Sequence, residues 1–159
     1  MQRVIVSGGQ TGVDRAALDF AIEQGIPYRG WCPRGGWAED MPEAPGLLER
    51  YPHLRETPLA DPRQRTEWNV RDSDATIVFV SPDAHSQGTD FTLACAEKYA
   101  KPVLVTDPYD PASVVTILDW LRANPNIRVL NIAGPRESES PGICAFVYSV
   151  LTAVSQNAT

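Results

Sequence analysis

Between Ser7 and Arg15 the chain reads Ser7-Gly8-Gly9-Gln10-Thr11-Gly12-Val13-Asp14-Arg15. The glycines frame an amide and a hydroxyl side chain, directly after the β-branched run Val4 to Val6 and directly before a helical pattern. A strand, a glycine turn and a helix in succession leave backbone N–H groups facing outward at a positive dipole end, which suits phosphate or another anion. The stretch lacks the Gly-Lys-Ser/Thr ending of a nucleotide-triphosphate loop and the G-x-G-x-x-G spacing of dinucleotide binders. Two later turns carry similar residues: Gly88 and Thr89, and Gly134 to Ser138 with Arg136. The expected binding set is therefore Gly8, Gly9, Gln10, Thr11, Arg15, Gly88, Thr89, Gly134, Arg136 and Ser138. Amides of the first two turns hold the phosphate in this reading, and Arg136 closes over it. The alternative for Arg136 is a solvated pair with Glu137 or Glu139. Gly9→Asp is expected to block the cradle and leave the fold intact.

Other reactive residue types fit less readily. Asp14 and Asp90 fall in first helical turns, where capping and dipole compensation account for a carboxylate ahead of catalysis. Cys32, beside Arg34, is either a reactive thiol or a buried one, whereas Cys95 and Cys144 read as buried. Trp31, Trp37 and Trp68 either stack on a planar ring or fill the core. His85 lacks a recognisable partner for general-base work.

The elements that position these residues follow from periodicity. Val13, Ala16, Ala17, Phe20 and Ala21 form one helical face, with Thr11 and Asp14 spaced as a capping box. Gly25 ends that helix. Residues 27 to 31 suggest a short strand, and 32 to 63 show no periodicity, with six prolines and three glycines. That region reads as a lid or partner-contact loop, or as a packed, proline-stiffened one. A helix is expected over 64–71, a central strand over 75–80, and a helix from Asp90 to Ala100 capped by Thr89. Then come a strand over 103–106, a helix opened by Asp110 and Pro111, a strand over 128–132, and a last helix from Ser140-Pro141. Strands alternating with helices predict one three-layer Rossmann-like α/β domain over residues 1–159, with a mostly parallel sheet and helices on both faces. The three turns then converge on one rim of the sheet, where such folds bind ligands.

The totals narrow the function. A net charge of −6 argues against a general nucleic-acid surface, although twelve of the fourteen basic residues are arginine, suited to a local phosphate pocket. Three scattered cysteines and two histidines have no metal-ligand spacing. No apolar run approaches membrane-spanning length and no signal peptide precedes Val4, so a cytoplasmic location without membrane attachment is expected.

Four stretches together carry a resemblance: Gly8 to Leu18, Gly30-Trp31-Cys32-Pro33, Arg65 to Asp74, and Asn131 to Ser138. They resemble the molybdenum carrier family, which is similar to molybdenum cofactor carrier proteins of algae and cyanobacteria. It belongs with the lysine decarboxylase-like, cytokinin-activating phosphoribohydrolases in a Rossmann-like superfamily. The resemblance implies a cytoplasmic homo-oligomer that binds the molybdenum cofactor, a phosphorylated pterin, without catalysis. It would protect this cargo or deliver it to molybdenum enzymes or cofactor-synthesis proteins. The phosphoribohydrolases carry P-G-G-x-G-T-x-x-E. Here Gly88-Thr89 is kept, Thr92 stands at the glutamate position, and Arg65 matches an arginine of those enzymes by spacing. A nucleotide-processing enzyme and a nucleotide-derivative sensor are the alternatives.

Overall fold

Six parallel strands form one sheet in the order β3-β2-β1-β6-β4-β5. The structure, a computed structural model, describes residues 3–84 and 86–158; His85 lies outside them. In chain order the elements are β1 (Val4–Val6), α1 (Val13–Glu23), β2 (Tyr28–Cys32), α2 (Leu47–Arg50), β3 (Leu54–Glu56), α3 (Pro62–Arg71), β4 (Ala75–Phe79), α4 (Gln87–Lys98), β5 (Val103–Thr106), α5 (Ser113–Ala123), β6 (Val129–Ala133) and α6 (Ile143–Gln156). This is the single-domain Rossmann-like α/β fold that the alternating pattern predicts.

Every residue of β4 is buried, as an apolar run covered on both faces must be. Ala75, Ile77 and Phe79 turn to one layer, where α1, α5 and α6 pack through Ala16, Ala17, Ile117, Val147 and Leu151. On the other face α3 packs on α4 around Val70, Cys95 and Ala96. The alanines of α1 are fully buried and let α6 lie close against it.

The region from 32 to 63 is built differently from the expected loop. It contains β3, paired with β2 from Gly30 to Cys32, and α2. Leu47, Tyr51 and Leu54 close a second apolar cluster with Leu18 and Cys32. A strand of three residues and a helix of four are too short to show a period, which is why their pattern is silent.

Four helix starts also differ. Gly12, at φ 80°, is the N-cap of α1 and makes no side-chain cap bond, so Thr11 and Asp14 form no capping box. Ser86 rather than Thr89 caps α4, its Oγ accepting from Thr89 N at 3.2 Å. Asp110 shapes the turn ahead of α5, accepting from Ala112 N at 2.9 Å, while the helix itself starts at Ser113. α6 begins at Ile143, where Glu137 reaches back to accept from Gly142 N at 2.6 Å and Cys144 N at 3.1 Å. At α4 and α6 an upstream side chain takes amides of the helix start, whereas at α1 Val13 N donates to the backbone carbonyl of Pro135.

Candidate functional site

At the carboxyl ends of β1, β4 and β6 the structure holds a cleft of about 510 Å³. Its base includes Val78 and Asn131, on the sheet face that α3 and α4 cover. All three glycine-bearing turns reach it: Gly8 and Gln10 after β1, Gln87, Gly88 and Thr89 at the start of α4, and Gly134 and Arg136 after β6. Helix α3 adds Arg63 and Arg65, and Trp37 lies at the side. Six of the ten residues picked from sequence therefore line one cleft: Gly8, Gln10, Gly88, Thr89, Gly134 and Arg136.

The other four serve its frame. Arg15 is buried, donates to Gly9 O at 3.1 and 3.2 Å, and forms a two-armed pair with Asp40 at 2.8 Å on each arm. Gly9, at φ 78°, turns toward Leu47 and Leu54: an added Cβ would stand 2.9 Å from Leu47. Gly9→Asp would drive a charge into apolar side chains at a backbone angle few L residues adopt, so it injures the fold, contrary to the expectation from sequence. Thr11 and Ser138 both donate to the carboxylate of Glu39, Ser138 at 2.7 Å.

Glu39 is the organising residue that sequence reasoning missed. Its backbone N–H donates to Gln10 Oε1 at 3.0 Å, and Arg136 lies 3.8 Å from its carboxylate. Partial burial works to raise its carboxyl, but hydrogen bonds from Thr11 and Ser138 and the charge of Arg136 outweigh it and hold Glu39 below the ordinary glutamate value. Arg136 also pairs with Glu139 at 3.2 Å, the solvated alternative foreseen for it, while still lining the cleft. Nothing in the sequence spacing links Glu39 to turns 28 residues before it and 99 after it.

The first turn spends most of its amides internally. Gly9 N donates to Ser7 Oγ, Gln10 N to Asp14 Oδ2, Thr11 N to Gln10 Oε1, and Val13 N to Pro135 O. The start of α4 is different. Ser86 takes the Thr89 amide, and Asp90 N donates to Ser86 O. The amides of Gln87 and Gly88, at the first two helical positions, have no partner among the described residues and stand at the cleft wall. A helix N-terminus with two open amides is chemically able to take an anion. Three arginines line the same cleft, each paired here with a carboxylate: Arg63 with Asp61, Arg65 with Asp14 and Arg136 with Glu139.

Facing it is Asp14, 7% exposed. Burial pushes its carboxyl up to about 6, against the opposing pull of Arg65, the Gln10 amide and Arg15. Arg65 Nη1 donates to Asp14 Oδ2 and to Gly8 O, both at 3.2 Å. That close packing explains Gly8, where a Cβ would fall 2.3 Å from Arg65 Nη1. Thr92, at the position a glutamate holds in the phosphoribohydrolases, donates to Gly88 O at 2.9 Å and presents no carboxylate. Cys32 is fully buried and its thiol is pushed up to about 11 by that burial, so it is a packed residue. Trp31 and Trp68 meet edge to face at 4.8 Å under Arg55 and Arg71; of the three tryptophans considered, only Trp37 lines the cleft.

Fold and cleft together define a Rossmann-like ligand-binding domain whose site opens at the carboxyl ends of a parallel sheet. Residues 5–155 match the circularly permutated YpsA SLOG family, and the chain belongs to it. The crystal structure of a putative molybdenum carrier protein from Syntrophus aciditrophicus SB is similar over 96% of this chain and 94% of that one, with 40% identity and a TM-score of 0.81. No curated protein matches the chain.

Proposed function

We propose that this protein is a non-catalytic carrier of the molybdenum cofactor, holding the cargo's phosphate at the start of α4 and its pterin ring deeper in the cleft. The observation that carries the reading is the pair of open amides, Gln87 and Gly88, facing a cleft that Arg63, Arg65 and Arg136 also line. The resemblance of the chain to a protein named as a molybdenum carrier supports the choice of cargo. Among the described residues no three His, Cys, Asp or Glu side chains are grouped to hold a metal ion, so the reading rests on phosphate and ring contacts.

Gly88 provides the test. It has no positive φ, and a Cβ there meets only Ser86 Oγ at 3.7 Å, so a side chain fits. Gly88→Asp places a negative charge at the second position of α4, which favours the helix and repels an anion. Protein loaded anaerobically with the cofactor, then desalted, should release close to one oxidised pterin per chain; Gly88→Asp should retain less than a tenth of that while melting no lower. Equal retention by both proteins removes the start of α4 from the site, and no retention by either removes the carrier reading.

A nucleotide-cleaving role has one observation in its favour: Asp14, with a carboxyl near 6, stands in the cleft beside Arg65. Free base released from nucleoside monophosphates at a rate abolished by Asp14→Asn would replace the carrier reading with that one.

A further inference from the structure

The base of the cleft offers hydrogen-bonding groups that the frame leaves unused. Gln10 is 7% exposed; its Oε1 accepts from Thr11 N and Glu39 N, and its Nε2 has no partner among the described residues. Asn131 is 3% exposed, donates from Nδ2 to Thr76 Oγ1 at 3.2 Å, and has an Oδ1 with no such partner. Asp14 uses Oδ2 for Gln10 N and Arg65, and its Oδ1 is uncommitted among the described residues. All three side chains line the same cleft, and among the described residues no fully enclosed side-chain N or O lacks a partner, so these atoms open toward the cavity. The unused set is one N–H donor beside a carboxylate, with an amide oxygen close to the sheet.

We propose that Gln10, Asp14 and Asn131 select a heterocycle with an amino-oxo edge, one presenting a ring N–H and an exocyclic amino group next to a carbonyl. Asp14 Oδ1 accepts from the ring N–H, Gln10 Nε2 donates to the carbonyl, and Asn131 Oδ1 accepts from the exocyclic amino group. Guanine and 2-amino-4-oxo pterins share this edge. Adenine offers an amino group beside a ring nitrogen acceptor, which sets a lone pair against the carboxylate. Leaving a buried polar group unpaired is what gives such sites their discrimination. This selection rests on the carrier reading for the placement of the phosphate, and adds which side chains read the edge of the ring.

Calorimetric titration with GMP, AMP, a pterin monophosphate and ribose 5-phosphate tests it at pH 7.5. GMP and the pterin monophosphate should each bind at least tenfold tighter than AMP, and the tighter of the two names the source of the ring. Asp14→Asn should bring GMP and AMP within twofold. Gln10→Glu keeps the acceptor for Thr11 and Glu39 but removes the donor, and should weaken GMP at least fivefold with AMP unchanged; it carries the test if Asp14→Asn does not fold. GMP and AMP binding alike to the unaltered protein would overturn the ring assignment while leaving the phosphate site standing. No binding of any of the four would overturn the phosphate site and the ring assignment together.

Discussion

Asp14 is a residue whose burial works against the resting protein. Its folded value of about 6 lies above the ordinary 3.8, so the folded state keeps a proton that the unfolded chain has lost between about pH 4 and 6. Stability owed to this group is therefore greatest below that window and falls as pH rises through it, by on the order of 2–3 kcal/mol. Asp40, Asp72 and Asp74 have carboxyls held low and contribute in the opposite direction, so the informative quantity is a difference. Urea unfolding of the protein and of Asp14→Asn at pH 4.5 and 7 should show the variant gaining relative stability at the higher pH. A constant difference at both pH values would mean the carboxyl ionises as it does in water. A ligand N–H donated to Asp14 Oδ1 would relieve the ionised, under-solvated carboxylate, so ligand should stabilise the unaltered protein more than the variant. From sequence Asp14 read only as a first-turn cap, because burial by Arg65, 51 residues away, leaves no local sign.

At the scale of elements, the turn after β6 is held by acids that reach across the fold. Glu137 accepts from two amides at the start of α6 while its own N–H donates to Thr11 Oγ1 at 3.1 Å. Glu137→Ala should cost about 1–2 kcal/mol, seen as a lower urea midpoint with an unchanged slope. A loss within error would mean that water replaces the carboxylate at that helix end. The long elements were legible: α1, β4, α5 and α6 have periods that extend over several turns or a full buried run, and their bounds shift by only a few residues. The three convergent turns were legible too, since parallel connections force strand ends to one edge. What escaped was non-local. Glu39, the packing of Leu47 and Leu54, and the outward turn of Arg15 to Asp40 depend on a segment whose pieces are shorter than any detectable period.

At the scale of the whole molecule, the last strand in sequence sits in the middle of the sheet. β6 pairs with β1 on one side and β4 on the other. Numbered from β6 onward, the spatial order becomes 4-3-2-1-5-6, a doubly wound sheet with its reversal beside the cleft. This agrees with the circularly permutated family to which the chain belongs. Since α6 packs on α1 and β6 on β1, joining the present ends would complete a β6-α6-β1 crossover. A permutant opened at the exposed Pro125-Asn126 turn, with its old ends linked, should fold to a cooperative unit that melts within about 10 °C of the parent. Loss of cooperative melting would show that the present ends are held in a way the linker disturbs.

The central position of β6 has a bearing on how the molecule is made. A ribosome delivers β1 to β5 first, as two half-sheets, β3-β2-β1 and β4-β5, each with a bare edge where β6 belongs. Asn131, Gly134 and Arg136 are still unmade or in the exit tunnel at that stage, so the cleft has no third wall. A chain halted before Val129 lacks one wall of the cleft and has two edges open to aggregation. A cleft with all of its walls therefore exists only once β6 has been inserted between β1 and β4.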